Sequence, residues 1–157
     1  MKITLLLTGK TESLSVRNLM DEYIKRIIHY TKFELIEVPD IKNIRSLSVE
    51  QYKLKDSENL KKYLEKSDCV VILDEHGKEL TSESLAGFVE HKFQTGVKNM
   101  MFVTGGAYGF SEDIRKMSAH SISLSKMTFP HQLVRLIFIE QLYRAFTIIR
   151  KEKYHHP

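Results

Sequence analysis

The chain holds a single cysteine, Cys69, in 157 residues. That excludes an internal disulfide and any site built from several thiolates, and it suits a reducing, cytoplasmic setting. No Pro-, Gly- or Ser-rich linker divides the sequence, and it contains no repeat or low-complexity run. One domain over residues 1–157 is therefore expected, large enough to bury a core without staples. The apolar opening Met1–Gly9 is too short for a signal segment and reads as a first strand. The apolar stretch Leu133–Ile149 carries Arg135, Glu140 and Arg144, which makes a membrane span expensive. Charge of one sign is also scarce: the formal net charge is only +4.

What is present alternates regularly. Lys2–Leu7, Phe33–Val38, Cys69–Leu73, Met100–Thr104 and Ser121–Leu124 read as strands. Ser13–Tyr30, Val49–Glu65, Ser82–Thr95, a short segment after the N-cap Ser111, and Pro130–Lys151 read as helices. Strand and helix alternating in this way predict an α/β fold, a mainly parallel sheet with helices on both faces. Such sheets bind ligands beyond the carboxyl ends of their strands. Three loops leave such ends, Asp74–Lys78, Gly105–Phe110 and Ser125–His131, and all three are expected to converge on one pocket.

The motifs differ in weight. Thr104-Gly-Gly-Ala-Tyr-Gly109 is a glycine turn between a strand and a helix, where free amides and missing side chains let a ligand approach. Its spacing is not the dinucleotide fingerprint, and a plain tight turn is the alternative. Gly9-Lys10-Thr11 lacks the upstream glycine of a phosphate loop, since Thr4 stands there. Asp74-Glu75-His76-Gly77 has acidic and imidazole groups, but His29, His91, His120, His131, His155 and His156 complete no ligand set. No metal site is expected.

The last helix is apolar on nearly every side, apart from a narrow stripe with Glu140 and Arg144. A helix of that kind calls for cover on two sides, by its own core and by a second chain. Glu140 and Arg144 stand i, i+4 among apolar neighbours, where lone charges are costly; a functional pair and a structural interface pair both fit. Beyond them, Arg144, Arg150, Lys151 and Lys153 interleave with Tyr143, Tyr154, His155 and His156. That mixture suits phosphate contact with base stacking, or simply the basic end of a helix.

Five motifs in order resemble one family. They are Leu73-Asp-x-x-Gly77, Gly105-Gly-x-x-Gly109, Leu124-Ser-x-x-Thr-x-Pro-His131-x-Leu-x-Arg135, Glu140-x-Leu-Tyr-Arg144-Ala and the terminal Tyr154-His155. Together they are similar to the RlmH family, small SPOUT-class methyltransferases that methylate N3 of a pseudouridine in bacterial large-subunit ribosomal RNA. The resemblance covers essentially the whole chain. It implies a C-terminal trefoil knot, S-adenosylmethionine as cofactor with no metal, and a homodimer with composite active sites. By the same resemblance Leu73, Gly105, Leu124, Ser125, Lys126, Met127, Thr128 and Phe129 hold the cofactor. Glu140, Arg144 and His131 are the implied catalytic residues; Arg144, Tyr154, His155 and His156 the implied substrate contacts. The base that removes the N3 proton stays open among Glu140, His131 and His155. One departure is visible: family members usually carry Lys or Arg after Tyr-His, and here His156 stands there. The compactness of the chain points to the assembled ribosome as the substrate. A nucleotide- or RNA-binding module without catalysis, and a SPOUT methyltransferase with another RNA target, are the alternatives.

Overall fold

A computed structural model describes residues 1–156. Five strands are present: β1 (Lys2–Thr8), β2 (Lys32–Val38), β3 (Cys69–Glu79), β4 (Asn99–Thr104) and β5 (His120–Ser123). They form one sheet in the order β2-β1-β4-β3-β5, and every recorded pairing is parallel. The helices are α1 (Leu14–Ile27), α2 (Val49–Leu64), α3 (Ser82–Gln94), α4 (Glu112–Met117) and α5 (His131–Ile149). The strand order is consistent with the trefoil knot that the resemblance implies.

Local chemistry starts four of these helices. The side chains of Ser13, Ser48, Thr81 and Ser111 each accept a backbone N–H in the first turn of α1, α2, α3 and α4. Ser48 and Gln51 complete a reciprocal capping box. The N-cap of α5 is Pro130, which offers no such bond, so the helix begins at His131.

Alternation along the strands sends side chains to two cores. On one face Ile3, Leu5, Leu7, Val71, Met100 and Phe102 pack with Val16 and Met20 of α1, Leu85 and Val89 of α3, and Phe138, Ile139 and Leu142 of α5. On the other, Leu6, Val70, Ile72, Met101 and Val103 pack with Leu60 and Leu64 of α2 and Ile114 of α4. Helices cover both faces, as expected. One side of α5 is covered within the chain: Arg135, Phe138, Ile139, Leu142, Ala145, Phe146 and Thr147 are all buried. Leu133 remains exposed.

One boundary differs. The residues after Leu73 do not leave the sheet as a loop. β3 continues to Glu79, and its pairing with β5 shifts: both Leu73 and Lys78 stand opposite Ile122. Residues 74–77 are thus bulged out of the ladder, which re-aims their side chains. Gly77 makes this possible. A Cβ there would lie 2.6 Å from the backbone of Ile122.

Two predictions follow from this packing. Gly77→Ala forces β3 and β5 apart, and denaturant unfolding is expected to show a loss of about 1–3 kcal/mol; an unchanged midpoint would contradict the close approach. The second concerns Asp56 of α2, which is buried with 3% exposure. Burial pushes its carboxyl up from 3.8 to about 6, against a hydrogen bond from Thr8 and with the nearby Asp40 charge adding to the rise. Between these values the native state holds a proton that the unfolded chain has released. Stability therefore falls as pH rises from about 4 to about 6, by at most about 3 kcal/mol. Asp56→Asn is expected to raise Tm near neutral pH, with the gain fading toward about pH 4. A gain independent of pH would exclude this account.

Candidate active site

A cavity of about 550 Å³ opens at the carboxyl ends of β4 and β5, beside the bulge of β3. Asp74, Glu75 and His76 of the bulge, the whole turn Gly105–Phe110, and Ser125, Met127, Thr128, Phe129 and His131 line it. The three segments singled out in the sequence do converge. Its size falls within the usual range for small-molecule sites.

Each wall is set by local structure. Gly109 adopts φ +70°, a left-handed conformation that favours glycine, and its N–H donates to the Gly106 carbonyl at 3.1 Å. At Gly106 a side chain would collide with the hydroxyl of Tyr52, so glycine lets the turn lie against α2. In the loop after β5, Ser123 donates its hydroxyl to the Ser125 carbonyl at 3.0 Å, and the Met127 N–H donates to Ser125 Oγ at 2.9 Å. These short-range bonds shape the loop from its own hydroxyls.

Of the eight residues assigned to the cofactor, Leu73, Gly105, Leu124, Ser125, Met127, Thr128 and Phe129 line the cavity. Lys126 does not. Its side chain is 87% exposed and stands 3.7 Å from Glu79. Asp74 and Arg135 stood in the sequence motifs, but the partners they hold in the wall had no signal there. Asp74, its side chain 5% exposed, pairs with Arg115 of α4 at 2.7 Å. Arg135 of α5 is buried beside the cavity, donating to Thr11 Oγ1 at 2.9 Å and to the Thr8 carbonyl at 2.7 Å. It ties the first turns of α5 to the end of β1.

A second cluster gathers along the second half of α5 and the segment that follows it. Glu140 Oε1 accepts from Arg144 Nε at 3.1 Å, from Arg144 Nη2 at 2.6 Å and from the Tyr154 hydroxyl at 3.1 Å. Its Oε2 accepts from Gln141 at 2.8 Å. The guanidinium of Arg144 lies 4.7 Å from the Tyr154 ring centroid, a cation–π distance. The Glu140 bond holds the Arg144 proton more firmly than usual, against partial burial. Burial, the Tyr23 hydroxyl and the Glu140 charge all push the Tyr154 phenol up. His155 stands between Arg144, at 3.4 Å, and Glu83 of α3, at 2.7 Å. Glu140, Arg144, Tyr154 and His155 are therefore brought together, and Tyr23 and Glu83 join them unforeseen. His156 is exposed.

His131 stands apart from that cluster. It lies on the cavity at the first turn of α5. Nine residues of helix separate it from Glu140 and thirteen from Arg144, roughly 13 and 20 Å along the axis. Among the described residues no three His, Cys, Asp or Glu side chains stand close enough to hold a metal ion.

Comparison with known proteins shows the family and the fold. Residues 1–155 match the family model described as a predicted SPOUT methyltransferase. Ribosomal RNA large subunit methyltransferase H from Parabacteroides distasonis is 49% identical over 156 residues, covering 99% of each chain. The protein of that name from Flavobacterium johnsoniae is likewise 49% identical over 99% of each chain. Among solved structures, a probable methylase family protein from Haemophilus influenzae Rd KW20 aligns over 97% of this chain and 67% of its own, with TM-score 0.55 at 14% identity. That likeness concerns the fold alone. On the full-length model match and the near-half identity of these relatives, the chain belongs to the SPOUT methyltransferases, and among them to the ribosomal RNA large subunit methyltransferase H family.

Proposed function

We propose that this methyltransferase transfers a methyl group to N3 of a pseudouridine in large-subunit ribosomal RNA, acting on the assembled ribosome in the cytoplasm. We further propose that it works as a homodimer, one chain folded as a single domain over residues 1–157 in each subunit. The observation that carries the composite site is the separation along α5. His131 on the cavity and Arg144 in the polar cluster lie roughly 20 Å apart along the helix axis, and a second copy running the opposite way would bring one chain's cavity toward the other's cluster. Exposed Leu14, Leu19, Met127 and Leu133 offer apolar surface for that copy. No helix among the described residues is long and apolar enough to cross a membrane.

S-adenosylmethionine, the methyl donor of SPOUT enzymes, supplies an activated methyl on a sulfonium. The cavity suits it: Leu73, Phe129 and Leu124 present apolar surface, and the Gly105–Gly109 turn presents backbone amides. An imide nitrogen attacks well only after losing its proton, so the protein must orient the base, remove that proton and stabilise the negative carbonyls. Arg144 is suited to the last task or to anchoring a phosphate. Glu140 already accepts four hydrogen bonds, which makes it a poor proton acceptor and a good clamp on Arg144. Tyr154 backs the guanidinium, and Tyr154, His155 and His156 extend the substrate surface. His131, which lines the cavity, and His155, in the polar cluster, are the remaining candidates for the proton transfer.

The test maps N3-methylated pseudouridine in 23S ribosomal RNA from cells with and without this protein, complemented by the native chain or by Arg144→Ala. The native chain should restore the mark. The purified variant should bind S-adenosylmethionine normally, stay dimeric and lose about 100-fold or more in kcat. A native rate from dimeric Arg144→Ala would end its assignment. S-adenosylmethionine binding without this mark would point to another RNA target, and absence of binding to a non-catalytic module.

A further inference from the structure

The chain beyond α5 has no regular structure at His155, and side chains hold it in place. Tyr30 donates its hydroxyl to Glu152 at 2.6 Å, Tyr154 is bound to Glu140, and His155 meets Glu83. The last contact has a directional consequence. A guanidinium has no acceptor, so Arg144 Nη1, 3.4 Å from His155 Nδ1, can only donate to it. Nδ1 must then be unprotonated. The single ring proton of a neutral imidazole sits on Nε2, which faces the Glu83 carboxylate at 2.7 Å. These bonding partners assign the tautomer.

Glu83 is well suited to enforce that choice. It lies in the first turn of α3, whose backbone is fixed by the Thr81 cap, and α3 packs on the same core as α5. The imidazole is only 17% exposed, so water competes weakly for it. The Glu83 carboxyl is held below the usual range, by its own backbone N–H first and then by Thr81 and His155. We propose that Glu83 is a positioning residue for Arg144, acting through His155: by accepting the Nε2 proton it leaves Nδ1 free to receive the guanidinium and locks the terminal segment over α5. This rests on the reading that Arg144 serves the methyl transfer. Nothing in the sequence marks Glu83, which looks there like an ordinary acid in a helix's first turn.

The test compares native protein, Glu83→Ala and Glu83→Gln, each with ¹⁵N-labelled histidine, with His155 assigned by its loss in His155→Gln. Near pH 8, native His155 should show a protonated Nε2 and an unprotonated Nδ1. Glu83→Ala should show mixed tautomers and a kcat on ribosomes lower by about tenfold, with unchanged S-adenosylmethionine affinity. Glu83→Gln keeps an oxygen acceptor but no charge; it should keep the tautomer and stay within about twofold of the native rate. A native tautomer and rate in Glu83→Ala would overturn the proposal. So would equal losses in both variants without a change of tautomer, since that marks a helix-charge effect. If the native protein methylates no ribosomal RNA, the parent reading falls, and the tautomer comparison still decides whether Glu83 orders His155.

Discussion

The rigid length of α5 is the constraint on which the rest of the site depends. A nineteen-residue helix with its inner face buried against the sheet, α1 and α3 cannot bend to bring its ends together. Phe138, Ile139, Leu142 and Phe146 fix it against the core, and Arg135 ties its start to the end of β1. The cavity wall at His131 and the polar cluster at Glu140–Arg144 are thereby held at a set distance. A single subunit holds both halves of the proposed chemistry and joins neither to the other. In the homodimer proposed above, a two-fold axis is what brings one subunit's cavity to its partner's cluster.

Within each half the energetics favour order. An i, i+4 Glu–Arg pair on a bare helix is worth only a few tenths of a kcal/mol. Here the two side chains are 18% and 25% exposed, and each has further partners. Gln141 and Tyr154 fill the carboxylate's remaining acceptor positions, while the Tyr154 ring and His155 lie against the guanidinium. Removing one member leaves the others desolvated and unpaired, so the cluster acts as a unit. At the other end the Ser123–Ser125–Met127 bonds and the Gly109 conformation preform the cavity before any ligand arrives.

Much of this was legible in the sequence because the signals were local. The apolar run Cys69–Leu73, the helix cap at Ser111 and the glycine turn after Thr104 each state their structure within a few residues, and the parallel α/β sheet follows from their order. What escaped was set by tertiary contact. Residues 74–77 looked like a loop because their polarity breaks the apolar run. They are a bulge because Gly77 can press against the Ile122 backbone, and nothing local announces that neighbour. The cover over α5 was expected from its own core and from a second chain; the sheet, α1 and α3 supply the first, and the second belongs to the proposed dimer. Asp74–Arg115 and Glu83–His155 join residues 41 and 72 positions apart, and no spacing rule links such pairs. Lys126 was carried over with the loop Leu124–Phe129, whose other members line the cavity while its own long side chain reaches solvent.

Subunit complementation tests the shared site most directly. Arg144→Ala leaves the cavity intact. A cavity variant that no longer binds S-adenosylmethionine, such as Thr128→Trp, leaves the polar cluster intact. Co-expressed as differently tagged chains, two inactive variants should yield heterodimers with one fully native composite site, so that a random mixture recovers about a quarter of native methylation. Activity no greater than that of the two variants measured separately would contradict the account and place the whole reaction within one subunit.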